Sequence, residues 1–344
     1  MNTLSHRMIQ FILPVVVLIF LMINISLGSV RIPLADIVSI LSGDEVRTSW
    51  FNIIWQFRVP KAITALLVGV GLSVSGLQMQ TLFRNPLAGP FVLGISSGAS
   101  LGVALVIFSF SFFGVALSQF AGGSWLMIVA ATFGASLVLI VVLLAAQKVK
   151  DSMSLLIVGL MFGSITGALV SVMQFFSSDE QIQMFLIWTF GSLGGLSWSE
   201  LNVLGIFVTM GLLLNIVLIK PLNALLLGEQ YAQSMGINLK LTRWMVILST
   251  SLLAGSITAF CGPIAFVGLA VPHLARLLFN TSNHKQLIPT VVWVGAIVML
   301  LCDIIAQLPG SEQVLPINAM TSLVGAPVVI WIIIRKRKIN NQLS

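Results

Sequence analysis

Residues 84–102 read RNPLAGPFVLGISSGASLG, with four glycines and two prolines set between two long apolar runs. Asn85, Ser96, Ser97 and Ser100 add amide and hydroxyl groups to the same stretch. At membrane depth, irregular backbone survives only where protein buries it or where it lines a wet cavity. If its neighbours are membrane spans, the segment is a tight re-entrant turn between two helices or part of a pathway.

The composition makes the neighbours spans. The 344-residue chain is 58% hydrophobic and 8% charged, against roughly a quarter charged in a soluble domain. A helix crossing the hydrocarbon needs about 20 mostly apolar residues. Candidate spans lie near 9–28, 61–82, 91–110, 125–146, 155–176, 201–219, 243–261, 265–280, 287–306 and 320–334. Ten spans place both termini on one side. Thirteen of the 17 lysines and arginines fall on that side, leaving Arg31, Arg47, Arg58 and Lys61 on the other. The positive-inside bias then makes the termini cytoplasmic. The outer side holds Asp36, Asp44, Glu45, Asp179, Glu180, Glu200 and Glu312. The net charge of +7 is thus a topology signal, and no nucleic-acid partner is needed to explain it. His6 and Arg7 before the apolar run Met8–Ile23 resemble a signal peptide, but the run is long and no A-x-A-like site follows. It reads as an uncleaved first span.

The expected fold is therefore all-α and polytopic, a single transmembrane domain over residues 1–344. GVGLSVSG (69–76) and FGSITGA (162–168) place small residues at helical spacing, which lets helix backbones approach closely. Gly163 and Gly167 suit either packing inside the bundle or a subunit contact. Cys261 and Cys302 sit in apolar surroundings and read as packing residues.

Three classes compete for the function. An ion-coupled carrier keeps ionisable groups at membrane depth. Here only Asp303 lies clearly inside a span, with Gln307 one turn on. Asp303 is either a proton site or a structurally hydrogen-bonded residue. An enzyme needs a nucleophile, a paired base or a metal cluster. His6, His273 and His284 are scattered, and neither H-E-x-x-H nor the phosphate loop G-x-x-x-x-G-K-[ST] occurs. The expectation is no catalytic site, no metal and no cofactor, so any ATP is hydrolysed elsewhere. The third class, a permease driven by a separate ATPase, finds its means in the longest cytoplasmic connection. Residues 220–243 read KPLNALLLGEQYAQSMGINLKLTR. Pro221 opens the segment, Leu225–Met235 reads as a short amphipathic helix, and Gly236 suits a C-cap. This is an ordinary interfacial helix or a docking helix for a cytoplasmic motor.

Taken in order, several motifs resemble one family. They are RNPLAGPFVLGISSGASLG, LLLGEQYAQSMGINLK, GPIAFVGLAVPHLARLL (262–278) and LVGAPVVIWIII (323–334). SLGSVRIP (26–33), FRVPK (57–61) and WTFGSLGGLSW (188–198) fit the same pattern. The chain resembles the FecCD-type permeases of ABC importers for iron-siderophore, haem and cobalamin, over about residues 10 to 335. The resemblance implies ten helices per subunit and a homo- or heterodimer around a central pathway in the bacterial plasma (inner) membrane. It also implies two cytoplasmic ATP-binding subunits below and an extracytoplasmic substrate-binding protein above, with membrane lipid around. An iron(III)-siderophore is the substrate expected, with haem and cobalamin the family's alternatives.

Site residues follow from the same resemblance. Asn85, Pro86 and Leu87, with Ser152 and Met153, match the cytoplasmic gate, although Met153 stands where the family often has a small hydroxyl residue. Glu229, Ala232 and Gly236 match the E-x-x-A-x-x-x-G core of the ATPase-coupling motif. Arg58 and Lys61 match the basic positions that dock the binding protein, while a third such position is Gln307 here. SDEQIQMFLIWTF implies a short helix at the outer mouth, with Trp188 and Trp198 in an interfacial belt. Met173, Met184, Phe175 and Phe176 line the path or simply pack.

Overall fold

The computed structural model describes residues 3–28, 30, 32–42, 47–109, 124–148, 152–279, 281–307 and 313–341. The outer-side residues Arg31, Asp44, Glu45 and Glu312 lie outside the described set. All regular structure among the described residues is helical. In chain order the helices are α1 (Thr3–Ser26), α2 (Leu34–Ser42), α3 (Thr48–Leu82), α4 (Ile95–Ser109), α5 (Ser124–Lys148), α6 (Ser152–Phe175) and α7 (Asp179–Thr189). They continue as α8 (Trp198–Leu226), α9 (Glu229–Ser234), α10 (Leu239–Cys261), α11 (Val267–Phe279), α12 (His284–Ala306) and α13 (Ile317–Asn341). Six of these, α3, α5, α6, α8, α10 and α12, are long and apolar enough to cross a membrane. Four shorter apolar stretches lie in α1, α4, α11 and α13. In α6 and α8 only 28% of the most apolar window is buried. Water would not tolerate that much bare apolar helix, whereas lipid or a partner helix does.

Two element boundaries differ from the sequence reading. The second span was expected to start at residue 61, but α3 begins at Thr48 and carries a π turn over Ile53–Arg58. Pro60 stands near that boundary, and a proline ring clashes with the preceding turn of an α-helix. The wider π turn just before it relieves that clash and lets the helix run on. Pro221 likewise does not open the cytoplasmic connection. It lies inside α8, which continues to Leu226, and the expected helix 225–235 shrinks to the six residues of α9.

The chain divides into two compact units. Unit 1 comprises Met1–Ser73, Ser192–Gly205 and Ala265–Ser344, and unit 2 comprises Val74–Gly191 and Ile206–Ile264. In unit 1, α2 packs Ile37 and Ile40 against Ile54, Val59 and Ala62 of α3, with Trp50, Trp55 and Trp198 around them. The indole of Trp198 donates to the Trp55 carbonyl at 2.8 Å, so it is anchored within the protein. At the start of α8 the segment SWSE forms a capping box: Ser197 N–H and hydroxyl both donate to Glu200 at 2.8 Å. The motifs at 262–278 and 323–334 meet directly. Phe266 adopts φ +66, and a Cβ on Gly325 would stand 2.5 Å from the Phe266 Cβ. Glycine in the second motif makes room for a strained phenylalanine in the first.

Unit 2 is built on close backbone contact. A Cβ on Gly98 would lie 2.6 Å from the Gly134 carbonyl oxygen, and one on Gly102 would overlap the Ala130 carbonyl. Gly98 and Gly102 therefore serve the crossing of α4 with α5, as small residues do where helices pack in lipid, while Gly94 stands against the Gly159 carbonyl of α6. Gly163 only grazes Ser97, and Gly167 has nothing within 4 Å. Met173 and Met184 pack on the core of unit 2, whereas Phe175 and Phe176 are largely exposed. Gln181 of α7 takes Ser178 N–H in a cap and donates to the Ile107 carbonyl at 3.0 Å, which ties α7 to α4. Cys261 and Cys302 are buried free thiols.

Candidate functional site

The opening stretch begins as a helix terminator. Arg84 N–H reaches the Thr81 carbonyl and Asn85 N–H reaches the Gln80 carbonyl, both at 3.2 Å, which is a Schellman closure of α3. Arg84 occupies its left-handed position at φ +48, where glycine is the usual choice. Asn85 Oδ1 then accepts the Leu87 N–H at 2.9 Å and sets the next bend. Leu87 is left exposed and Pro90 is buried. A turn of Pro90–Leu93 ends at Gly94 with φ +73, and α4 follows. Of the gate residues expected from sequence, Asn85 is thus a turn-former and Leu87 a bare apolar tip.

The other two, Ser152 and Met153, open α6. Met153 is exposed and Ser152 is buried. Ser152 Oγ donates to Glu229 Oε1 at 2.6 Å. Glu229 is the first residue of α9, so one hydrogen bond joins the expected gate to the expected coupling motif. Both oxygens of that carboxylate also accept from Arg243 Nη2 at 2.9 Å. Arg243 is the partner that the sequence reading missed: it was counted only as a topology charge. Its fourteen-residue distance from Glu229 along the chain carries no helical periodicity to mark the pair.

Ala232 is fully buried beneath α9. The helix closes on a Schellman motif, with Gly236 N–H on the Gln233 carbonyl at 2.9 Å and Ile237 N–H on the Ala232 carbonyl at 3.0 Å. Gly236 sits at φ +81 with nothing within 4 Å of a Cβ, so its requirement is conformational rather than steric. Asn238 Oδ1 then caps α10 through the Leu241 N–H. The arrangement encloses a cleft of about 790 Å³ lined by Phe83, Arg84, Ser152, Met153, Glu229 and Tyr231, among others.

Unit 1 holds a second polar cluster. Lys61 Nζ pairs with Asp303 Oδ1 at 3.0 Å. Asp303 Oδ2 accepts from Asn24 Nδ2 at 2.8 Å and from Gln307 Nε2 at 2.9 Å. Three helices, α1, α3 and α12, meet at this one carboxylate. Arg58 is buried, and its guanidinium donates to the carbonyls of Ile25, Ser26 and Val30. It therefore satisfies carbonyls left open where α1 ends. Arg58 and Lys61, expected as free docking charges, are both engaged inside unit 1 beside a cleft of about 380 Å³ that also exposes Gly194 and Gly195. Asn24 was the missed member here; an amide thirteen apolar residues past Gln10 in the first span was the available signal.

The described residues thus form a bundle of helices, six of them long and apolar enough to cross a membrane, with the short, tightly capped helix α9 between two of the six. The profile of the FecCD transport family matches residues 16–335, and the chain belongs to that family. It is 34% identical over 344 residues to the vitamin B12 import system permease protein BtuC of Klebsiella pneumoniae, covering 98% of each chain. It is 32% identical over 317 residues to the BtuC of Citrobacter koseri, covering 90% of this chain and 93% of that one. A solved structure described as an inward-facing metal-chelate type ABC transporter superposes with a TM-score of 0.81 at 30% identity. That likeness covers 96% of this chain and 99% of the other. The protein is accordingly a multi-pass ABC importer permease of the FecCD family. Family membership removes the ion-coupled carrier alternative at Asp303.

Proposed function

We propose that this chain is the permease subunit of an ABC importer that carries an iron(III)-siderophore complex into a bacterial cytoplasm across the plasma (inner) membrane. Ten spans with both termini cytoplasmic, pairing with a second permease subunit, complete the reading. ATP is hydrolysed on two separate cytoplasmic subunits that seat against α9. An extracytoplasmic binding protein delivers substrate to the opposite face. Asn85, Pro86, Leu87, Ser152 and Met153 form the inner gate, in which exposed Leu87 and Met153 seal against their counterparts in the second subunit. Glu229, Ala232 and Gly236 form the coupling segment. Of the two docking positions Arg58 and Lys61, Lys61 keeps 20% of its side chain exposed and is the better placed to steer an acidic partner.

The observation that carries this reading is likeness over nearly the whole chain to a metal-chelate type ABC transporter. Cobalamin is the second reading, favoured by the vitamin B12 permeases among the relatives. The test is uptake into proteoliposomes that contain the permease, its ATPase and its binding protein. Import should require ATP, stop with vanadate and persist with a protonophore. Competition among unlabelled ferric siderophore, haem and cobalamin then identifies the substrate. Uptake that needs no ATPase and collapses with protonophore would sink the proposal.

A further inference from the structure

The family resemblance gives Ser152 and Glu229 two different jobs, yet in unit 2 a hydrogen bond joins them. Ser152 Oγ stands 2.6 Å from Glu229 Oε1, the short distance of a hydroxyl bound to a charged acceptor. The same Glu229 carboxylate is held by Arg243 Nη2 through both oxygens at 2.9 Å. Arg243 is buried on α10, one turn past the Asn238 cap. The Schellman closure at Gly236, the Asn238 cap and the Glu229–Arg243 pair make α9 and the start of α10 a braced elbow. A carboxylate gripped on both oxygens cannot swing freely, so its position reports the position of the elbow. The first residue of α6 is hydrogen-bonded to that carboxylate.

We propose that the Glu229 carboxylate is the joint through which displacement of α9 reaches the first turn of α6, with Ser152 as its receiving side and Arg243 as its brace. The joint rests on the permease reading above, since it gives α9 a motor to move it. Three features suit a joint rather than a static tie. Glu229 keeps 30% of its side chain exposed and borders the 790 Å³ cleft, so water can replace Ser152 when the elbow shifts. Met153, next to Ser152, is exposed on the cleft, so a shift of the first turn of α6 moves an apolar tip. The α9 helix has only six residues, too short to hold its place by its own hydrogen bonds. Arg243 and Glu229 are positioning residues: neither needs to touch substrate.

The test uses the complete reconstituted transporter and measures substrate imported per ATP hydrolysed in the same vesicles. Radiolabelled ferric siderophore is the first probe and cobalamin the second. Ser152→Ala and Glu229→Gln should each lower the ratio about fivefold, the lower range of ordinary coupling energies. Ser152→Thr keeps the hydroxyl and should return the ratio toward wild type. The double variant S152A/E229Q should be no worse than the poorer single, because the first change removes the receiving side and the second the brace of one path from α9 to α6. A merely structural role would lower uptake and hydrolysis together and leave the ratio unmoved, which would overturn the joint. Effects of the two singles that multiply in the double would overturn it as well. Should wild type itself show no ATP-dependent import, the permease reading fails and the joint with it. If wild type transports and the variants keep its ratio, the joint alone falls.

Discussion

Among the described residues, an ion pair anchors a polar cluster in each unit, and the two clusters are held in opposite ways. In unit 1 the Asp303 side chain is 3% exposed and is fastened from three long apolar helices by Lys61, Asn24 and Gln307. In unit 2 Glu229 stands on a six-residue helix at the lip of a cleft, with a single serine linking it to the next long helix. A carboxylate deep in the bundle repays its desolvation only while every partner stays in place. One at a cleft loses less when a partner leaves, because solvent takes over. The first cluster is a fastener and the second a joint, so mutations in the first should read out as stability and in the second as coupling.

The largest effect is expected at Asp303. Asp303→Ala strands the Lys61 ammonium and two amides, and breaking a buried ion pair from one side costs on the order of 3 kcal/mol. Thermal unfolding in detergent should show the loss, and the paired change Lys61→Met with Asp303→Leu should recover much of it. An Asp303→Ala protein as stable as wild type would erase the distinction between the clusters. Next comes Arg58→Met, which leaves the carbonyls of Ile25, Ser26 and Val30 without their donor at a cost of about 1–3 kcal/mol. Here too the expected change is in unfolding temperature, with the ratio of transport to hydrolysis intact.

On the other side of the comparison, Gly236→Val forces a β-branched residue to φ +81. The strain is only about 1–2 kcal/mol, so the protein should still insert in the membrane. Uptake per ATP should nevertheless fall severalfold, with Gly236→Asn milder because asparagine tolerates the left-handed region. Normal uptake in Gly236→Val would remove α9 from the coupling path. The smallest effect is expected for Gly167→Ala, whose new methyl meets nothing within 4 Å. Stability should stay within about 0.5 kcal/mol of wild type. Loss of the proposed pairing with a second permease subunit on native gels would instead mark that face of α6 as a subunit contact.

Much of the helical framework was legible beforehand. Each candidate span falls on a helix, because run length and hydropathy are local properties of the chain. Close packing at Gly98 and Gly102 could be read from their spacing, since glycines four apart leave a helix face bare of side chains. Boundaries failed at Pro60 and Pro221, where proline usually ends a helix but a π turn or the surrounding helix carried it through. The candidate sites were half legible. Motif matching singled out Glu229 and Ser152 but not that they touch, and it named Arg58 and Lys61 as docking positions without the contacts both make within unit 1.

By itself the sequence determined that this chain is a helical, membrane-embedded member of the FecCD family, because solvent preference and motif order need no neighbours to be read. The tertiary structure alone decided which polar groups meet. Asn24 and Asp303 lie 279 residues apart in the chain and 2.8 Å apart in space. That approach depends on α1, α3 and α12 packing closely, as where a Cβ on Gly69 of α3 would fall on the Gly295 carbonyl of α12. Apolar patterning says which residues leave water; only the packing of helix on helix says which of the remaining polar groups find each other.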